Sequence, residues 1–398
     1  MSMIAADDTI YLDHAATTPV DPVVVEAMAP YFTEHFGNPS SIYRLGQVAR
    51  AALDRARGSI ARVLGCQPSE IVFTSGATES DNLALSGVLW KARLGKSNAP
   101  PPHLITTSIE HHAVLHTANW LERVGFSVTY VDPDADGFID PAEIEANIRP
   151  ETALISVMYA NNEIGAVEPI SEIARIAKRN GVPFHTDAVQ AAGALTLKVD
   201  DLGVDLLALS AHKFYGPKGV GLLYVRRGTP IEFQQHGGGQ ESGRRGGTEN
   251  VASIVGMAMA LERADDATDA ANAHAVRLRD MLWAGLQEDL PDVELNGTAD
   301  WSRRLPNNLN VTIPGVQGET MLLSLDMQGI AASAGSACTT GNSEPSHVLQ
   351  AIGLTDEQAR ASLRFSVGKG NTADEIDETV SVVVETAARI RELSSARL

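Results

Sequence analysis

Ser210-Ala-His-Lys-Phe-Tyr-Gly-Pro-Lys-Gly-Val-Gly221 is the stretch on which the reading of this chain turns. The run before it, Val204 to Leu209, is short and mostly apolar, as a buried strand is, and Gly216-Pro217 ends regular structure soon after. Lys213 therefore falls where a strand releases the chain, the position at which open α/β sheets carry their chemistry. A lysine amine can form a Schiff base with an aldehyde cofactor once desolvation or a nearby cation lowers its pKa. Taken alone, a surface lysine in a turn is the better reading, so the rest of the chain has to decide.

Working outward, strands and helices alternate. Short apolar runs predict strands over 71–73, 103–107, 127–131, 153–159, 183–186 and 221–225. Helices are predicted from Ser75-Gly76-Ala77-Thr78 through Leu89, and over 113–124, 141–148 and 169–180. This alternation predicts an α/β fold, a largely parallel sheet with helices on both faces. Upstream, Asp21-Pro22 opens a helix that Gly37 closes, and a second helix runs over 43–64 and stops at Gly65.

Downstream the pattern changes. A connecting helix is expected over 261–276, and 308–313 alternates like a half-exposed strand. Leu363, Phe365 and Val367 alternate with Arg364 and Ser366. The last helix opens with a capping box, Thr372 to Glu375, and carries Ile376, Val380, Val383 and Ile390 on one face. The expected organisation is a large domain over 17–264 and a smaller α+β domain from 1–16 and 265–398.

The 398 residues suffice for two domains, and 50 acidic against 31 basic residues leave a net charge of −19. That balance argues against nucleic-acid or anionic-membrane partners, which need a basic footprint. Two cysteines, Cys66 and Cys338, make no disulfide framework, which fits a reducing, cytoplasmic compartment. No secretory signal is visible at the N-terminus, and no apolar run nears the ~18 residues of a membrane span.

Several residues can carry chemistry. Ser75-Gly76-Ala77-Thr78 at a strand-to-helix turn offers backbone N–H groups and a hydroxyl to a phosphate, a signal many α/β turns share. Asp187 at a strand end reads equally as an N-cap or as the partner of a protonated ring nitrogen. His111 can stack on a flat cofactor and move protons. His111, His112 and His116 lack the spacing of a metal site, so none is expected. Ala331 to Pro345 is built of small residues and is too long for a plain connection, so Cys338 at its centre can act as a nucleophile or sulfur carrier. Cys66 reads as structural. Gly237 to Thr248 is rich in glycine and arginine and can reach a phosphate, or form a surface turn. Arg364 suits a substrate carboxylate.

Together these stretches resemble cysteine desulfurases of the NifS/IscS kind, fold type I pyridoxal-phosphate enzymes of the class V aminotransferase family. The matching stretches run in order: Tyr-Leu-Asp-His-Ala-Ala-Thr-Thr-Pro (11–19), Phe-Gly-Asn-Pro-Ser (36–40), Ile-Val-Phe-Thr-Ser-Gly-Ala-Thr-Glu-Ser-Asp-Asn (71–82) and Glu-His-His-Ala-Val (110–114). Asn-Asn-Glu-Ile-Gly (161–165), Asp-Ala-Val-Gln (187–190), the lysine stretch, Gly-Ser-Ala-Cys-Thr (335–339) and Leu-Arg-Phe-Ser (363–366) follow. The resemblance implies Lys213 as Schiff-base lysine and Cys338 as catalytic thiol. It implies a phosphate held by Ala77, Thr78, Ser210 and His212, with Thr248 reaching in from a second subunit of a homodimer. His111 would stack on the ring and handle protons, Asp187 would pair with its nitrogen, and Asn162 and Gln190 would touch its substituents. Asn38 and Arg364 would orient the carboxylate of L-cysteine.

The implied reaction yields L-alanine and a persulfide on Cys338, supplying sulfur for iron–sulfur clusters, other thio-cofactors or tRNA thiolation. Cys338 as a transient cluster ligand stays open. The Arg-x-Gly-His-His-Cys pattern of the SufS-like group is absent. Family members dock an iron–sulfur scaffold through a longer tail than Glu392-Leu-Ser-Ser-Ala-Arg-Leu398, so other acceptors, apo-proteins included, stay open too. The rival readings are a selenocysteine lyase or aminotransferase of the same fold, and a non-catalytic sulfur-assembly subunit.

Overall fold

Mainly apolar runs bounded by turn residues become the strands Ile71–Thr74, Leu206–Ser210 and Gly221–Val225. The structure, a computed structural model, describes residues 9–95, 99–334 and 344–395. In chain order the strands are β1 (Ile10–Tyr11), β2 (Ile71–Thr74), β3 (His103–Thr107), β4 (Ser127–Val131), β5 (Thr152–Ser156) and β6 (Phe184–Asp187). Then come β7 (Leu206–Ser210), β8 (Gly221–Val225), β9 (Glu294–Leu295), β10 (Asn308–Thr312), β11 (Ile330–Ala331) and β12 (Ser362–Ser366). Seven of them form the main sheet, in the order β2-β8-β7-β6-β5-β3-β4. Neighbours are parallel except at β8, which runs antiparallel to both β2 and β7. Strands β2, β3, β6, β7 and β8 are buried along their whole length; β2, β7 and β8 accordingly read as nearly continuous apolar runs, while β3 and β6 bury polar side chains as well.

Helices cover this sheet, making the α/β architecture expected. The helix Arg44–Leu64 turns Ala49, Leu53, Ala56 and Ile60 inward, packs along the helix Val251–Asp266, and ends at Gly65 in the left-handed conformation (φ 70°). The expected helix from Pro22 to Gly37 is broken into Pro22–Met28 and Pro30–Thr33, because Pro30 has no N–H to continue the first segment. The expected connecting helix over 261–276 is the junction of two helices, Val251–Asp266 and Thr268–Asp289. They part at Ala267, next to the Thr268 hydroxyl bonded to the Ala264 carbonyl.

A second core gathers Leu12, Leu278, Leu282, Val311, Phe365 and Val383 around the antiparallel sheet β12-β10-β9, closed by the helix Ala373–Ser395. The Thr372–Glu375 capping box opens that helix as expected. Strand β10 is fully buried rather than half-exposed. Its polar side is covered by residues 161–165, where the side-chain amides of Asn308 and Asn310 both donate to the Glu163 carbonyl at 3.0 Å. Val348 and Leu349 of the helix His347–Ala351 pack into the core of the main sheet. No helix among the described residues is long and apolar enough to cross a membrane.

Candidate active site

The chain leaves β7 at Ser210 and tightens into a 3₁₀ turn, Ala211–Lys213. A Cβ on Gly216 would lie 2.9 Å from both the Ala211 carbonyl and its Cβ, so this close return requires glycine. The turn aims Lys213 at the N-terminal segment, where its Nζ donates to the carbonyls of Ala15 (2.5 Å) and Ala16 (2.8 Å). Gln190 Nε2 donates to the same Ala15 carbonyl at 3.0 Å.

Asp187 ends β6, paired with Ala208 on the adjacent β7, the strand that leads to Lys213. Its Oδ1 accepts the Val189 N–H at 2.9 Å, and burial pushes its carboxyl up to about 6 against the pull of that N–H and of Lys213. His111 caps the helix His112–Arg123, its Nδ1 accepting the Ala113 N–H at 3.1 Å, so the ring proton lies on Nε2. Burial first, then the charges of Lys213 and neighbouring imidazoles, bring His111 down to about 4. His212 is likewise lowered to about 4, chiefly by burial, and its Nδ1 lies 3.1 Å from the Thr17 hydroxyl. Both rings are neutral near pH 7.

At the other end the helix Ala77–Arg93 begins with no side-chain cap among the described residues, leaving its first N–H groups to face the cavity. Strand β8 comes so near this turn that a Cβ on Gly221 would lie 2.7 Å from Gly76 Cα. Arg245 of the glycine-rich segment pairs with Glu79 at 2.8 Å on the same helix.

Arg364 reaches in from β12. It is 1% exposed, donating from Nη1 to the Asn162 carbonyl (2.9 Å) and from Nη2 to Asp13 Oδ1 (2.7 Å). The alternation of β12 predicts a polar face for it, and that face turns inward rather than to solvent. After the segment that carries Cys338, the chain is tied back by Ser346 Oγ to Glu163 Oε2 (2.5 Å) and by His347 Nε2 to the Glu110 carbonyl (3.0 Å).

One cavity of about 620 Å³ brings together Ala77, Thr78, His111, Asn162, Asp187 and Gln190 with Ser210, His212, Lys213 and Arg364. Asn38 and Thr248 are not among its walls; they line a separate cleft beside Phe32 and Phe36. Cys338 lies outside the described residues. Cys66 is a half-buried thiol, pushed up to about 12 mainly by burial, and so unreactive. Asp13, Asp81, Glu110 and His185 belong to the site or its floor and carried no assigned role from the sequence, although Asp13, Asp81 and Glu110 lie inside motif stretches. No cluster of three or more His, Cys, Asp or Glu among the described residues is arranged for a metal ion.

The donor set fits pyridoxal phosphate. A helix N-terminus with Thr78 and Ser210 suits the phosphate, a buried carboxylate suits the ring nitrogen, and a lysine and an imidazole line the same cavity. Fold and site define a fold type I pyridoxal-phosphate enzyme. The chain belongs to the aminotransferase class-V family, whose model matches residues 10–379. The cysteine desulfurase IscS of Clostridium botulinum strain Hall is 49% identical over 385 residues, spanning 97% of this chain and 96% of that protein. The structure of a NifS-like protein matches with a TM-score of 0.88 at 39% identity, over 96% of this chain and 99% of that one. SspA in complex with cysteine matches with a TM-score of 0.79 at 40% identity, over 92% and 100%.

Proposed function

We infer that this chain is a pyridoxal-phosphate-dependent cysteine desulfurase that takes sulfur from L-cysteine, releases L-alanine and feeds iron–sulfur cluster assembly. The observation that carries the reading is the convergence of Lys213, Asp187, His111 and Arg364 on one cavity. The similarity to SspA in complex with cysteine supports the substrate.

Pyridoxal phosphate, when bound, supplies an electron sink for charge developing at the substrate Cα. Asp187 would hold the ring-nitrogen proton, Ala77, Thr78, Ser210 and His212 would hold the phosphate, and Asn162 and Gln190 would border the ring. Arg364 grips the substrate carboxylate with its planar fork. With the cofactor loaded, the Lys213 amine would take the Cα proton. His111 presents Nε2–H to the substrate sulfur. The Cys338 thiolate would attack that sulfur: an S–S bond forms, the Cβ–S bond breaks with its electron pair left on carbon, Cβ gains a proton, and Lys213 returns the proton it took to Cα, giving alanine and the Cys338 persulfide.

The working unit of this reading is a homodimer in the cytoplasm. Phe36, in the wall of the cleft that holds Asn38 and Thr248, is 65% exposed, and Ile42, four residues on from Asn38, is 90% exposed. Apolar surface of this kind suits a second copy, which would bring Thr248 to its partner's phosphate site and Asn38 to the substrate. We place the large domain at 17–264 and the small one at 1–16 and 265–398, with the substrate between them. Apo-proteins or a scaffold would accept the sulfur.

The test follows alanine and protein-bound persulfide from L-cysteine in the native protein and in Cys338→Ala. Native protein is expected to give both, and the variant to keep the visible absorbance of the bound cofactor but form no persulfide. Alanine release by the variant at the native rate would transfer the case to the lyase reading.

A further inference from the structure

Below the cavity lies a group of buried side chains that the reaction above does not use. Asp81, one turn into the helix Ala77–Arg93, is fully buried, and neither carboxyl oxygen has a hydrogen-bond partner among the described residues. Its Oδ1 lies 3.5 Å from His185 Nε2. His185 is also fully buried and precedes Asp187 by two residues on β6, so both side chains leave the strand on the same face. The other imidazole nitrogen, Nδ1, lies 2.9 Å from Ser156 Oγ on the adjacent strand β5. Glu110 completes the group from the end of β3, its Oε1 accepting from the Thr107 hydroxyl (3.0 Å) and the Met158 N–H (2.8 Å).

The charged groups facing this floor are Asp187, Glu110 and, from the turn after β7, Lys213. Three carboxyls that share a desolvated space cannot all ionise, because each charge raises the cost of the next. Their surroundings rank them. Asp187 has both the Val189 N–H and Lys213 to favour its anion. Asp81 has neither, and burial and the nearness of Asp187 and Glu110 drive its carboxyl well up. Burial also keeps His185 neutral, lowering it to about 3. An ionised Asp81 would bury a charge with no donor. A neutral Asp81 has one O–H to give, and the near acceptor is His185 Nε2.

We propose that Asp81 is a positioning residue for this reaction: a neutral carboxyl that donates its proton to His185 Nε2, fixes the Nδ1–H tautomer toward Ser156, and leaves the negative charge to Asp187 beneath the cofactor ring. This rests on the reading that Asp187 pairs with the ring nitrogen. With a second anion behind it, the pair would lose its bias toward one proton position. With Asp81 neutral, the Asp187 charge is matched to one ring proton.

The test is long-range ¹H–¹⁵N spectroscopy of the full chain with and without pyridoxal phosphate, beside cofactor affinity and the pH titration of the bound cofactor's visible band. His185 is expected as the neutral Nδ1–H tautomer from pH 5 to 8. Asp81→Asn, which can still donate to Nε2, should bind cofactor within about twofold of native and titrate alike. Asp81→Ala should bind roughly tenfold more weakly, with a displaced titration midpoint. Protonation of both His185 nitrogens overturns the proposal, as does an Asp81→Asn variant as impaired as Asp81→Ala. If Asp81→Ala does not fold, the spectra and Asp81→Asn still decide. Asp187→Asn reads the underlying assignment separately: native affinity and an unmoved band there would sink the ring-nitrogen role, while the His185 tautomer stays measurable without cofactor.

Discussion

Asp187 and Arg364 are both buried charged side chains on strands of the two sheets, and the protein treats them in opposite ways. Arg364 meets an anion and a carbonyl inside the chain, Asp13 and Asn162, each within 3 Å. Among the described residues Asp187 has a single N–H, at 2.9 Å, and burial raises its carboxyl. The cation is held ready in a fixed orientation, and the acid is kept short of partners until one arrives. Binding a carboxylate rewards a preset geometry, since a planar fork loses little freedom on engagement. Pairing with a cofactor proton rewards an acid whose anion gains most from that proton.

The sharpest way to break this contrast is kinetic. Asp187→Asn should lower turnover of L-cysteine by roughly a thousandfold with little change in KM, because an amide cannot hold the ring charge in the transition state. Arg364→Lys should do the reverse, raising KM about ten- to a hundredfold with a smaller loss of kcat, since a point charge cannot copy the two-pronged grip. If both variants lost only kcat, the division of labour would be wrong. A gentler probe is pH. With its carboxyl near 6, Asp187 holds a proton below that pH and loses it above, so pyridoxal phosphate should bind about tenfold more weakly at pH 5 than at pH 7, and Asp187→Asn should flatten that slope. Affinity measured by fluorescence across this range checks it.

What the sequence conveyed divides along the same physical line. Strand β8 and the stop of the long helix at Gly65 were legible because local signals fix them: an apolar run of strand length, and a glycine free to turn left-handed. Lys213, Asp187 and His111 were legible because each stands at a strand or helix end inside a recognisable motif. The break at Pro30 was written in the sequence but was outweighed by the capping signals around it. Pairings between distant segments were not legible. Nothing periodic links Asp13 to Arg364, 351 positions away, or Asp81 to His185, and the burial of β10 depends on residues 161–165 closing over its asparagines. The separation of Asn38 and Thr248 from the main cavity is a matter of tertiary placement.

The segment Ile10 to Thr18 joins structures that lie far apart in the chain. Tyr11 pairs with Ala331, Asp13 bridges to Ser366 and binds Arg364, and Ala15 and Ala16 hold Lys213. On a ribosome these residues emerge some 350 residues ahead of their last partners. At roughly ten residues per second that is a wait of about half a minute. The main sheet can fold during that time, but the lysine cannot be fully framed until β12 has been made. Every nascent chain therefore passes through a period in which its largest core is complete and the frame around Lys213 is not, which ties completion of that frame to the arrival of β12.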